Sequence, residues 1–141
     1  MPLARFVAFH DAPERAVTPL PTPKFAVMIA RSPDGVVLVF NRFRQVWELP
    51  GGFIDPGESL RQGAERELAE EAGCIARDSE WLGVVEVNDG GAHFGGVFRC
   101  SVDHVPAHFE NAESAGIALW RRDRAPEPLG HSDAALLGKF G

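Results

Sequence analysis

The chain has 141 residues, 45% of them hydrophobic and 24% charged, and a formal net charge of −6. That length suits one domain able to bury about 68–70% of its unfolded surface, and the acidic balance argues against gripping a nucleic-acid polymer through a broad basic face. Two cysteines outside any CxxC pair argue against a disulfide framework or zinc site, and no apolar run approaches the roughly 18 residues of a membrane span.

The N-terminus shows no basic region followed by an apolar core, so the expected compartment is the cytoplasm. Residues 1–23 carry a short apolar patch, Arg5 to Phe9, and then Pro13, Pro19, Pro21 and Pro23. The patch predicts an edge strand and the prolines an extended connector. This arm is either loosely attached or used in dimerisation or substrate contact, and a homodimer is among the expectations. The main domain is expected over residues 24–141.

Lys24 to Ala30 and Val36 to Phe40 are β-rich apolar runs separated by a Pro-Asp-Gly turn. Proline presets φ and glycine supplies the positive-φ position, so a β-hairpin is predicted. Its near-continuous hydrophobicity implies burial on both faces. Asn41 to Trp47 follows and ends in Glu48-Leu-Pro-Gly-Gly52. Arg42 and Arg44 are candidates for holding phosphate groups, with a solvated strand face as the equal alternative. Gly51-Gly52 lets backbone approach a ligand or another element closely. Phe53-Ile54 reads as a short strand and Asp55-Pro-Gly57 as a turn.

Ser59 with Gln62 three residues on makes a capping-box pattern, and Gly73 is a typical residue just past a helix end. A helix over Leu60 to Ala72 is predicted, with Leu60, Ala64, Leu68 and Ala72 as its apolar stripe. Glu67, Glu70 and Glu71 stand at i, i+3 and i+4, so their carboxylates leave from one face. Such like charges destabilise an isolated helix by roughly 0.2–0.5 kcal/mol per pair. Oxygen donors crowded this way suit a hard cation, Mg²⁺ or Mn²⁺. Gly63 lies one turn before Glu67 and predicts close packing of a neighbouring loop. Trp81 to Val87 and His93 to Val102 read as strands joined by Asn-Asp-Gly-Gly, with a bulge expected at Gly95-Gly96. Ile117 to Trp120 is a further strand, and a short helix capped by Ser132 is expected over 132–139. His10, His93, His104, His108 and His131 show no metal-ligand spacing. Phe43, Trp47, Phe94 and Phe98 are candidates for stacking on a base, with core packing as the alternative, and Arg121, Arg122 and Arg124 read as a solvated basic cluster.

Gly52, five residues, Glu58, seven residues, then Arg66-Glu67-Leu68-Ala69-Glu70-Glu71-Ala72-Gly73 resembles the Nudix box. Every charged and glycine position matches; Cys74 replaces the final aliphatic, a mild departure because free Cys behaves as a small hydrophobe. The box spans 23 residues, and Trp120 with Glu113 resembles the late glutamate–tryptophan region of these domains. The resemblance implies an α/β/α sandwich with a mixed central sheet, the box forming a loop–helix–loop. It implies metal-dependent hydrolysis of a diphosphate bond in a nucleoside diphosphate linked to another group, or of oxidised nucleoside triphosphates. Glu67, Glu70 and Glu71 would then ligate the metal, joined by Glu58 and the Gly51 or Gly52 carbonyl. Arg66 would orient box carboxylates, and Glu67 or Glu113 would be the general base, with Glu110 and Asp103 as lesser candidates. A small nucleotide substrate is implied. A non-catalytic nucleotide-sensing module, the rival, usually lacks a box glutamate or the arginine, and none is missing here.

Overall fold

The hairpin predicted around Pro33-Asp34-Gly35 forms, and it is the centre of the molecule. In the computed structural model, which describes residues 4–14 and 19–141, β2 (Phe25–Ser32) and β3 (Gly35–Asn41) pair antiparallel at the turn. Along β2, Ala26, Met28 and Ala30 enter one core cluster while Val27 and Ile29 face another; along β3, Val37 and Val39 part from Val36 and Leu38 in the same way. The unbroken apolar runs are explained by this two-faced burial, since alternate residues point to opposite sides of a sheet.

The remaining strands are β4 (Val46–Glu48), β5 (Gly51–Phe53), β6 (Arg77–Asn88), β7 (Ala92–Ser101) and β8 (Ser114–Trp120), with β1 (Arg5–His10) at the outer edge. The order is β1-β6-β7-β2-β3-β4, with β5 on β2 and β8 on β3. Among the strand pairs of the described residues only β2 and β7 run parallel, so the sheet is mixed. Helix α1 (Leu60–Ala72) covers the first face through Ala64, Leu68 and Ala72, and α2 (His131–Phe140) covers the second through Leu136 and Leu137. This is an α/β/α sandwich. The apolar patch near the N-terminus is β1, antiparallel to β6. The described part of the connector, residues 11–14 and 19–24, has no helix or strand. The arm's residues 1–3 and 15–18 lie outside the described residues. No helix among the described residues is long and apolar enough to cross a membrane.

Three local expectations need correction. The short strand before the box is Gly51–Phe53, because Gly51 and Gly52 take up ladder positions opposite Val27 and Ala26. The β6–β7 register breaks between Arg77 and Glu80 and between Trp81 and Gly83, not at Gly95-Gly96. Those glycines instead leave room for aromatic rings: a Cβ on Gly95 would collide with Phe25, and one on Gly96 would sit 2.9 Å from Trp81. Lastly, α2 is capped by Gly130 rather than Ser132, and it starts one residue earlier than expected.

Candidate active site

α1 is held at both ends by its own sequence. Ser59 Oγ accepts from Gln62 N and Gln62 Oε1 accepts from Ser59 N, while Gly73 closes the helix at φ 65° with its N–H on Ala69 O. Gly57, at φ 80°, makes the turn from Asp55 to Glu58. That turn folds back onto the helix, where Gly63 has no Cβ to strike Ile54 Cγ2, 2.7 Å from where one would lie. The close approach predicted at Gly63 is therefore made by the box's own loop, and it brings Glu58 to the acidic face.

Arg66 is the hub of that face. Its guanidinium donates to both oxygens of Glu58 (2.7 and 3.0 Å), to Glu67 Oε1 (3.0 Å), to Glu70 Oε2 (3.1 Å) and to Phe53 O (3.2 Å). The planar fork suits this shared, partly bidentate grip in a way a lysine could not match. Contact with Arg66 holds the Glu58 carboxyl below its ordinary range. Glu67 and Glu71 behave oppositely. Burial raises the proton affinity of both carboxyls, and the neighbouring Glu67 charge adds to the rise at Glu71. Glu71 is 8% exposed; its Oε1 accepts from Gly51 N at 2.9 Å, and Ser114 Oγ lies 3.5 Å from its other oxygen.

Gly51 and Gly52 serve close approach between protein elements. Gly51 packs on the β2 backbone, and a Cβ on Gly52 would stand 2.8 Å from Glu67 Oε1. Strand β5 is thus a thin wall, with the carboxylates against one side. A cavity of about 420 Å³ opens on the same two glycines. Its apolar lining includes Phe25, Val27 and Phe53, and its polar lining includes Arg44, Glu48, His93 and Asp133.

The two upstream arginines part company. Arg44 lines the cavity and is paired to Glu48 at 2.8 Å. Arg42 does not line it; its side chain ties the β3–β4 turn to Asn111 O and Glu110, both at 3.0 Å. Glu113 is exposed on the loop before β8, and that loop is anchored to α1 by Asn111 Nδ2 donating to Glu70 O. Among the described residues, the Glu113 carboxylate has no hydrogen bond or ion pair, and the Asp103 carboxylate is held by Arg77. Of the stacking candidates, Phe98 is fully buried and Phe43 is 76% exposed at a turn tip. The aromatic at the cavity rim is Phe53, 69% exposed, which the sequence reading took only as a strand residue. Asp133 was missed altogether.

The donor chemistry fits a hard divalent ion: oxygen ligands only, and a buried carboxyl pair whose proton affinity burial raises. The side chains are not preassembled around one point, since no group of three or more His, Cys, Asp or Glu among the described residues could hold a metal ion as it stands. Arg66 offsets part of the carboxylate charge in this arrangement.

A NUDIX domain family model matches residues 20–138. The chain belongs to the Nudix family. This Nudix chain is 30% identical to the 8-oxo-dGDP phosphatase NUDT18 of Mus musculus over 105 residues, covering 70% of the chain and 31% of that protein. It is 35% identical to the RNA pyrophosphohydrolase of Afipia carboxidovorans over 81 residues, 52% of this chain and 48% of that one. The NUDIX domain of Shewanella oneidensis NrtR, solved in complex with ADP ribose, superposes with a TM-score of 0.71 at 21% identity, over 87% of this chain and 90% of that one. At that identity the likeness concerns the fold alone. The matches cover between 31% and 51% of the length of the curated relatives. Nudix hydrolases generally use divalent metal ions and act on small nucleotide substrates.

Proposed function

We propose that this Nudix domain hydrolyses a diphosphate bond in a nucleoside diphosphate linked to another group, by attack of water on phosphorus, with Mg²⁺ or Mn²⁺ bound. The observation that carries this reading is the meeting of the α1 carboxylates and the 420 Å³ cavity on the two sides of Gly51-Gly52. A dinucleotide-like substrate has an anionic middle and an uncharged ring end, and the two sides of that wall suit those two parts.

Glu67, Glu70 and Glu71, with Glu58 and the Gly51 carbonyl, would hold the ion. When bound, it supplies charge neutralisation at the phosphate oxygens and lowers the pKa of water. Arg66 orients Glu58 and Glu67 and prevents them from swinging apart. Glu67 is the general base we favour in the cluster, since it is half-buried and burial raises its affinity for a proton taken from water. Glu113 serves as the alternative base from the open side. Arg44 and Gly52 border the substrate, whereas the ties of Arg42 to Glu110 and Asn111 support a role in holding the loops. The ring end enters between Phe25 and Phe53. A cytoplasmic location and a homodimer through the N-terminal arm remain part of the proposal, the latter checked by light scattering.

The test incubates the protein with Mg²⁺ and a panel including ADP-ribose, other nucleoside diphosphate sugars and 8-oxo-dGTP, and looks for a mononucleotide product. Turnover by the wild type and its loss in Glu70→Gln support the reading; no turnover of any substrate, or equal turnover by Glu70→Gln, sinks it. A second reading, cleavage of oxidised nucleoside triphosphates, is favoured by a 38% identity over 60 residues to the putative 8-oxo-dGTP diphosphatase of Bacillus subtilis, 43% of this chain and 40% of that one. Faster turnover of 8-oxo-dGTP than of ADP-ribose would select it.

A further inference from the structure

The wall that carries Gly51 and Gly52 is too short to stand alone, being a three-residue strand after a three-residue strand. Besides its short ladder on β2, it is supported by the approach to α2. Trp47 N donates to Pro128 O at 2.8 Å, Gly130 N to Trp47 O at 2.9 Å, and Leu49 N to Asp133 Oδ1 at 2.9 Å. On the other flank, Met28 N donates to Pro50 O at 2.9 Å. The next residue along is Gly51, whose N–H meets Glu71, and then Gly52, which abuts Glu67.

Asp133 is an expensive way to make one of these bonds. It is 9% exposed, and a buried carboxyl is tolerated where hydrogen bonds hold it. Helix capping alone would not require burial, because exposed Ser or Asn caps serve that purpose. The other carboxyl oxygen lies so close to Gly130 that a Cβ there would collide with it. The corner is therefore built around this side chain, which also lines the cavity.

We infer that Asp133 is a positioning residue of the active site: by gripping Leu49 N it fixes the Leu49–Gly52 segment so that Gly51 N meets Glu71 and Gly52 meets Glu67. The α2 side of the sheet thereby sets the geometry of carboxylates on the α1 side. Its consequence for metal binding rests on the function proposed above; the tether itself does not.

The test compares wild type with Asp133→Asn, Asp133→Ala and Asp133→Ser by backbone amide exchange and by Mn²⁺ titration followed with electron paramagnetic resonance. Asparagine keeps an oxygen for Leu49 N; alanine has none and the serine hydroxyl is too short. With the alanine and serine variants, exchange at Leu49 and Gly51 is expected to rise while that of Leu68 stays at the wild-type level. Mn²⁺ binding should weaken about tenfold in those two and stay within about twofold of wild type in Asp133→Asn, the scale of a support behind metal ligands. Wild-type exchange at Gly51 in the alanine or serine variant would overturn the inference, as would an Asp133→Asn protein as impaired as Asp133→Ala. If Asp133→Ala does not fold, the serine–asparagine pair makes the same decision. A wild type that binds no Mn²⁺ would sink the proposed function, and the exchange comparison would still rule for or against the tether.

Discussion

The two helices cover opposite faces of one sheet and contribute similar apolar anchors, yet they are built by different rules. α1 has a complete capping box, a left-handed glycine stop and a hub arginine, all supplied from within residues 55 to 73. α2 has no side-chain bond at its cap, and its one buried charged group reaches across to Leu49. A helix that presents chemistry must hold its own side chains in place, because four carboxylates on one face repel and would otherwise splay. A helix that supports chemistry needs only packing and one directed contact. The contrast teaches that the site has a local half and a long-range half, joined at β5.

The sharpest way to break this division is by activity. Glu67→Gln should lower kcat on whichever substrate the panel identifies by about 10²–10³-fold, since charge neutralisation by a metal is worth several kcal/mol in the transition state; thermal melting should change little. A fall below tenfold would shift the burden to another carboxylate. Next come the anchors. Leu68 and Leu137 are 0% and 1% exposed, and changing either to Ala should cost about 2–5 kcal/mol of stability in urea unfolding. Among molecules still folded, Leu68→Ala, which loosens the helix that carries Glu67, should lose clearly more kcat than Leu137→Ala, which loosens only the helix that carries the Asp133 tether. Equal activity losses would erase the distinction between a working and a supporting helix.

A pH effect isolates the supporting half. Burial raises the Asp133 carboxyl from its ordinary value of 3.8 to about 7. Between those values the folded state keeps a proton that the unfolded chain has released. Its contribution to stability is therefore full below pH 3.8, is lost as pH rises toward 7, and changes no further above that. Compared with Asp133→Asn, the wild type should lose stability across this window in denaturant titrations; parallel curves would contradict it. The smallest effects lie at the caps. Ser59→Ala should cost about 1 kcal/mol, while Ser132→Ala, at a position that is not the cap, should stay within about 0.5 kcal/mol by the same melting assay.

What could be read from the sequence followed the same division. The box helix, its caps, the shared face of Glu67, Glu70 and Glu71, and the loop packed on Gly63 were legible because spacings of three and four residues determine them. The two-faced burial of β2 and β3 was legible from apolar runs without polar alternation. Arg42 was not: its partners Glu110 and Asn111 lie 68 and 69 residues away, and nothing near position 42 signals them. Asp133 escaped for the same reason, with its partner 84 residues distant. The purpose of Gly95 was missed because the need is Phe25's, on a parallel neighbour strand that hairpin reasoning does not pair. Phe53 offered a weak signal, an aromatic directly after the glycine pair, that only the cavity explains.

The central claim is that the α1 carboxylates gather a divalent ion against the Gly51-Gly52 wall. A crystal grown with Mn²⁺ and measured near the manganese absorption edge tests it most directly. The account predicts an anomalous peak within coordination distance of Glu67 and Glu71 and its disappearance in Glu67→Gln. A peak on other side chains, or one that survives that substitution unchanged, would contradict it.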